Sequence, residues 1–270
     1  MFLFNRAAFY HRACTSLPSS MPKTQLLMLS KALLILPFMA LAYFPDGDFK
    51  SDQLRYERVR NAYAEKQAAV DALLKPHGIE RGNMEVFFRA FKEEKRFEVF
   101  ARTKGSGAYT LIKEYDFCVL SGKIGPKRQQ GDLQVPEGFY YIDRYNPVSS
   151  YHLSLGINYP NTSDRKLGKK GRLGGDIFIH GDCVSVGCIP LTDELIREVY
   201  IFAIEARDQG QKRVPVHIFP FDFGSVPKSE WENCEELHAF WTDLQKGYAA
   251  FEESGEVPSF SVDEKGRYVF

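Results

Sequence analysis

The stretch IHGDCVSVGCIP, residues 179–190, sets His180, Cys183 and Cys188 within nine positions. Imidazoles and thiols ligate soft metals, cysteines form disulfides, and the two side chains together act as base and nucleophile. A metal centre needs four such ligands when structural, or three plus water when catalytic. Here there are three, without a second paired motif nearby, and Cys118, His152 and His217 are the candidates for a fourth. A disulfide would join Cys183 to Cys188 across a tight loop, a geometry prone to strain and reduction. A nucleophile fits the local order of residues best. Cys188 follows Gly187 in a turn of small residues, and a glycine there admits substrate and frees backbone N–H groups for a developing oxyanion. His180 would draw the proton from the thiol, leaving a thiolate–imidazolium pair that is nucleophilic near neutral pH. The carbonyl of Gly181 is within local reach to hold the imidazole. Taken singly, His180 reads as a core histidine, and Cys188 and Cys183 as small packed residues.

The elements that must position these groups follow from periodicity. DIFIHG, 176–181, is a short buried strand delivering His180. After Pro190, TDELIREVYIFAIEARDQG reads as a helix capped by Thr192, with Asp193 and Glu194 in its first turn. Its apolar stripe is Leu195, Ile196, Val199, Phe202, Ala203 and Ala206, and Gly210 ends it. Upstream, MEVFFRAFK, RFEVFAR, YTLIKEYDFCV, GFYYIDRY and YHLSLGI are short, aromatic and partly alternating, the texture of an antiparallel-rich sheet or sandwich. VPVHIFPF, 214–221, is a further strand. Residues 51–77 read as one amphipathic helix capped by Ser51 and Asp52 and ended by Pro76 and Gly78. The tail carries a helix around Trp231 to Phe251 and a short final strand. The basic glycine loop at 165–175 lies between strands, so a phosphate cradle does not fit it.

Composition narrows the partners. Lys plus Arg and Asp plus Glu both number 35, a neutral balance that argues against nucleic acid, which needs a basic surface. Hydrophobic residues make up 44%, with 22 Phe and 14 Tyr, enough for a sizeable core. ALLILPFMALAYF, Ala32 to Phe44, follows Lys23 and Lys31 and ends near a small-x-small site, the pattern of a secretory signal or an N-terminal membrane anchor. Met21 is an alternative start. The expectation is a periplasmic or envelope protein with four cysteines beyond Cys14, too few for a disulfide scaffold. Four segments are expected: a leader over 1–50, a helical arm over 51–78, a catalytic domain over 79–223, and a packed extension over 224–270.

The motifs resemble a known family. IHGDCVSVGCI is similar to the signature of the L,D-transpeptidase catalytic domain of YkuD type, where an HG pair is followed by S-x-G-C. SGKIGPKRQQGDLQVPEGFYYI, LGINYPNTSDR and the ending GRYVF extend the likeness over roughly residues 84–270, most nearly to the YafK-like branch. The resemblance implies an α+β, β-rich fold: a mixed β-sandwich with a helix after the cysteine, an N-terminal helix and a C-terminal helical extension. It implies Cys188 as nucleophile, His180 as base and acid, Gly181 as the carbonyl that orients it, and the N–H groups of Gly187 and Cys188 as oxyanion hole. It implies as substrate peptidoglycan stem peptides containing diaminopimelate, or a wall-linked lipoprotein, and no metal or cofactor. Ser185 of the S-x-G-C motif is placed among the substrate-binding residues. Arg128, with neighbouring loop cations, suits stem-peptide carboxylates, and Tyr140, Asn158 and Tyr159 suit the groove wall. Val186 stands where the commoner pattern has a second histidine, and Pro190 where it has arginine. These departures are shared with the YafK-like branch, whose implied reaction is hydrolytic release of a lipoprotein; the alternative of another class is a non-catalytic wall-binding or zinc-stabilised module.

Overall fold

A computed structural model describes residues 49–270. The apolar leader segment expected before it lies outside the described residues. Among those described, no helix is long and apolar enough to cross a membrane.

Strands β1 (Met84–Phe91), β2 (Arg96–Thr103) and β3 (Thr110–Asp116) come first, then β4 (Gly138–Asn146) and β5 (Ser154–Ile157). Strands β6 (Phe178–His180), β7 (Ile189–Pro190) and β8 (Pro215–Phe219) complete one sheet in the order β3-β2-β1-β8-β4-β5-β6-β7. It is antiparallel except where β1 meets β8 and β6 meets β7. The sheet curls because β4 serves two neighbours: its first half pairs with β8, its second with β5, and the register slips between Ile142 and Arg144. A bulge of this kind bends a strand and sharpens its twist. The resulting mixed α+β, β-rich fold agrees with the expectation.

The sheet's sequence reflects cover on both faces. β1 is buried along nearly its whole length, so it reads as a hydrophobic run rather than an alternation. Val86, Phe88 and Ala90 enter the main core, whereas Phe87 and Phe91 turn to the opposite side. Helices α1 (Phe49–Gln53), α2 (Glu57–Leu74), α3 (Thr162–Leu167) and α4 (Asp193–Asp208) are joined near the C-terminus by α5 (Lys228–Trp231) and α6 (Glu235–Ser254). α4 packs against α1, α2 and β1, and this explains why Tyr200, Ile201 and Ile204 are buried in addition to the predicted stripe. Thr192 caps it as expected, accepting the Leu195 N–H at 3.2 Å. On the other side, Trp241 and Leu244 of α6 pack with Phe91, Phe139, Phe219 and Phe221.

The single helix expected over 51–77 is two. The chain breaks at Tyr56, which is extended (φ −87, ψ 130), and Ser51 and Asp52 fall inside the short α1 rather than before it. Arg60 compensates by donating to the freed carbonyls of Leu54 and Arg55. Pro76 and Gly78 do end the second piece, through a 3-10 turn closed by Gly78 in the left-handed region.

One buried ion pair bears on the site. Lys92 and Glu137 are both fully buried. Lys92 Nζ donates to Glu137 Oε1 (2.9 Å) and to the carbonyls of Gly125 and Val135. Glu137 accepts in addition from Gly125 N–H and Trp241 Nε1. The pair therefore pins both ends of the loop 121–137 to the sheet and to α6.

Candidate active site

Strand β6 carries His180, and its parallel partner β7 begins one residue after Cys188. Ile179 pairs with Ile189 and His180 with Pro190. Both isoleucines are wholly buried in the main core. Side chains alternate along a strand, so Phe178, His180, Cys188 and Pro190 share the opposite face. One step back in register, the Phe178 N–H donates to Cys188 Sγ at 3.4 Å. His180 and Cys188 are thus diagonal neighbours on one face.

The link between them is a turn built for close approach. A Cβ on Gly181 would lie 2.6 Å from Asp193 Oδ1 and 3.0 Å from the Tyr151 carbonyl, so only glycine fits. Asp182 follows at φ 63 with its N–H on Asp193 Oδ1 (2.8 Å). Gly187 lies at φ +91, a conformation that disfavours side chains, beside the Gln134 carbonyl. The imidazole is fixed: Nδ1 donates to the Gly181 carbonyl at 2.5 Å, and the ring lies against Tyr151 with centroids 4.7 Å apart. A proton on Nδ1 leaves Nε2 as the basic nitrogen.

The electrostatics differ from the expected ion pair. Burial pushes the Cys188 thiol up from its ordinary 9.0, and the Asp176 charge adds to this against the Phe178 N–H and Lys127. Burial likewise pulls His180 down from 6.5, opposed by the Gly181 carbonyl and Asp182. Both shifts favour a neutral thiol beside a neutral imidazole, and the thiol points to the Asp176 carbonyl, 3.7 Å away.

Cys183 is not a small packed residue, nor is it bonded to Cys188. It forms a disulfide with Cys118, 65 residues earlier, and Cys188 is free. This removes Cys118 and Cys183 from the ligand set considered for zinc. His217, another candidate ligand, sits against Phe87 and Phe139 and is pushed down to about 3 by burial. His152 is held by Arg197. Among the described residues, no three His, Cys, Asp or Glu side chains are grouped to hold a metal.

The profile of the L,D-transpeptidase catalytic domain matches residues 90–218, a span that includes both His180 and Cys188. The chain is also 37% identical over 188 residues to YafK of Escherichia coli (strain K12), covering 68% of this chain and 73% of YafK. This chain belongs to the L,D-transpeptidase family. Among solved structures, it is similar to the helical cell shape determining protein Pgp2 from Campylobacter jejuni: 20% identity, 67% of this chain, 74% of that one, TM-score 0.42. L,D-transpeptidase 1 of Mycobacterium tuberculosis is more distant, at 15% identity over 50% of this chain and 62% of that one, TM-score 0.28.

The predicted site residues divide. His180, Gly181, Ser185, Gly187 and Cys188 come together as described. Arg128 instead lies over the Phe240 ring and reaches Asp164. Tyr140 is buried, its hydroxyl bonded to Asp164 Oδ2 at 3.0 Å. Asn158 accepts the Tyr141 N–H, and Tyr159 donates to the Leu173 carbonyl. Tyr140, Asn158 and Tyr159 line a cavity of about 640 Å³ that neither Cys188 nor His180 borders. The tyrosines' hydroxyls are engaged within the protein, Tyr140 by the buried Asp164 and Tyr159 by the part-buried Leu173 carbonyl.

Two residues at the site were not anticipated. Cys118 donates its N–H to the Pro190 carbonyl as well as bridging to Cys183. Three residues on, Ser121 accepts the Gly187 N–H at 2.7 Å. The N–H of Cys188 likewise goes to a hydroxyl, that of Ser185, at 3.1 Å. The two donors expected to form an empty oxyanion hole thus have serine partners. From sequence, Cys118 reads only as a candidate metal ligand, and Ser121 only as the first residue of the SGKIGPKRQQGD motif.

Proposed function

We propose that this chain is an exported cysteine acyltransferase acting on peptidoglycan stem peptides through a thioester on Cys188. The observation that carries the reading is that strand pairing puts one free thiol and one oriented imidazole on a single sheet face. Cys188 remains reduced while Cys183 is bonded elsewhere, and His180 is fixed through Nδ1 with Nε2 open.

A thiol pushed up and an imidazole pulled down by burial suit general-base chemistry. The Cys188 side chain turns from Asp176 toward His180, and Nε2 takes the thiol proton as sulfur attacks the carbonyl carbon of a diaminopimelate residue. The C–S bond forms as the carbonyl π pair moves to oxygen. The tetrahedral adduct collapses, the C–N bond to the leaving amine breaks, and the imidazolium returns its proton to that nitrogen. The thioester then passes its acyl group to an incoming amine, giving a cross-link or protein attachment, or to water, giving hydrolysis; His180 takes the proton again. Catalytic hydrogen bonds are commonly long or misaligned before substrate binds, so the present direction of the thiol is compatible with this role. Export is supported by the Cys118–Cys183 disulfide, a bond that persists in oxidising compartments.

Incubation with purified sacculi or disaccharide tetrapeptide, with products identified by mass, tests this. The parent protein is expected to change the stem peptides and the Cys188→Ala variant to leave them intact. Turnover by a folded Cys188→Ala variant overturns the reading.

A further inference from the structure

The hydrogens of the two serines can be assigned by counting. Ser185 Oγ lies 2.8 Å from the Cys188 carbonyl, which only accepts, so the Ser185 hydrogen points there. Ser185 must then accept both the Cys188 N–H and whatever Ser121 offers across their 3.1 Å contact. Ser121 therefore donates to Ser185 while accepting the Gly187 N–H at 2.7 Å. Its lone hydrogen is engaged by a neutral hydroxyl, in the longer of its two bonds.

Ser121 is also held where it stands. Cys118, in the same strap over 118–121, fixes it from the N-terminal side through its bridge to Cys183 and its N–H on Pro190. Behind it, Gly122 at φ +72 packs so closely that a Cβ would meet the Leu133 carbonyl at 2.7 Å.

Resting on the acyl-transfer reading, we propose that Ser121 is a further catalytic residue, whose hydroxyl joins the Gly187 N–H in binding the oxyanion. In the resting site it caps that N–H. As negative charge develops on the substrate oxygen, Ser121 turns about its Cα–Cβ bond, releases the Gly187 N–H to that oxygen, and moves its own O–H from Ser185 to the same atom. No bond is lost in the exchange: a neutral hydroxyl–hydroxyl contact becomes a charge-assisted one, roughly twice as strong. Because the gain depends on the charge, it is realised in the transition state and not in the ground state.

The test compares two reactions of Cys188 at one alkaline pH. A carbapenem acylates it through a tetrahedral oxyanion; iodoacetamide alkylates it by direct displacement at carbon, with no carbonyl attacked. In Ser121→Ala the acylation rate is expected to fall about 10²-fold, the scale of one lost oxyanion donor. Alkylation should stay within about twofold, which also reports an intact site. Ser121→Thr, which keeps the hydroxyl, should recover most of the acylation rate. Equal change in both reactions, no change in acylation, or a threonine variant no better than alanine overturns the role of Ser121. A parent protein that gains no carbapenem adduct on Cys188 overturns the acyl-transfer reading, and this inference with it.

Discussion

Removing the Cys118–Cys183 bridge is expected to cost a sizeable part of the protein's margin of stability. The bridge closes a loop of 65 residues. On the chain-entropy account, tying a loop of that length restricts the unfolded chain by about 14 cal/mol/K, or about 4 kcal/mol at 25 °C. The bond joins the end of β3 to the turn between His180 and Cys188. The perturbation is the double substitution Cys118→Ser with Cys183→Ser, purified under oxidising conditions. Urea unfolding followed by fluorescence of the buried Trp231 and Trp241 gives the difference in free energy. A loss of about 2–4 kcal/mol is expected, with a melting point lower by roughly 5–15 °C. Turnover should fall as well, because the strap that carries Ser121 loses its anchor. A double variant within about 1 kcal/mol of the parent refutes the reasoning, since the bridge would then neither restrict the unfolded chain nor order the strap.

Three further outcomes are expected. The ultraviolet absorbance of the Cys188 thiolate should rise only above pH 9, because burial raises that thiol, and an acid limb in kcat/KM should fall below pH 6.5, because burial lowers His180; full thiolate at neutral pH contradicts this. Lys92→Met strands Glu137 as a buried charge without its cation and should destabilise by about 3–5 kcal/mol in urea unfolding, with part of it recovered by adding Glu137→Gln, which removes the charge and keeps an acceptor for Trp241. Tyr140→Phe removes a bond to a buried carboxyl and should cost about 1–3 kcal/mol of stability with KM unchanged; a raised KM at unchanged stability would return Tyr140 to the substrate groove.

The arrangement of the candidate site was legible where it is local. His180, Gly181, Gly187 and Cys188 are close in sequence, and a strand followed by a turn of small residues leaves few ways to arrange them. The strands of the sheet and the capped helix α4 were readable for the same reason, since alternation and capping are short-range signals. What depends on distant contacts was not. The bridge to Cys118 spans 65 residues, and spacing alone does not select a partner over that length. β7 is two residues long, too short for any period to register. The break before α2 arises from one extended residue, Tyr56, inside an otherwise periodic segment. The residues assigned to the groove were ambiguous for a further reason: tyrosine and arginine suit a groove wall and a buried hydrogen bond equally well. The outcome for Tyr140 was decided by Asp164, a carboxyl raised to about 6 by burial and in need of a donor.

The most direct measurement is the intact mass of the protein after exposure to a carbapenem, followed by peptide mapping. One covalent adduct, placed on Cys188 and abolished by either Cys188→Ala or His180→Ala in folded protein, is the result the account predicts. An adduct elsewhere, or none on a folded parent protein, contradicts it.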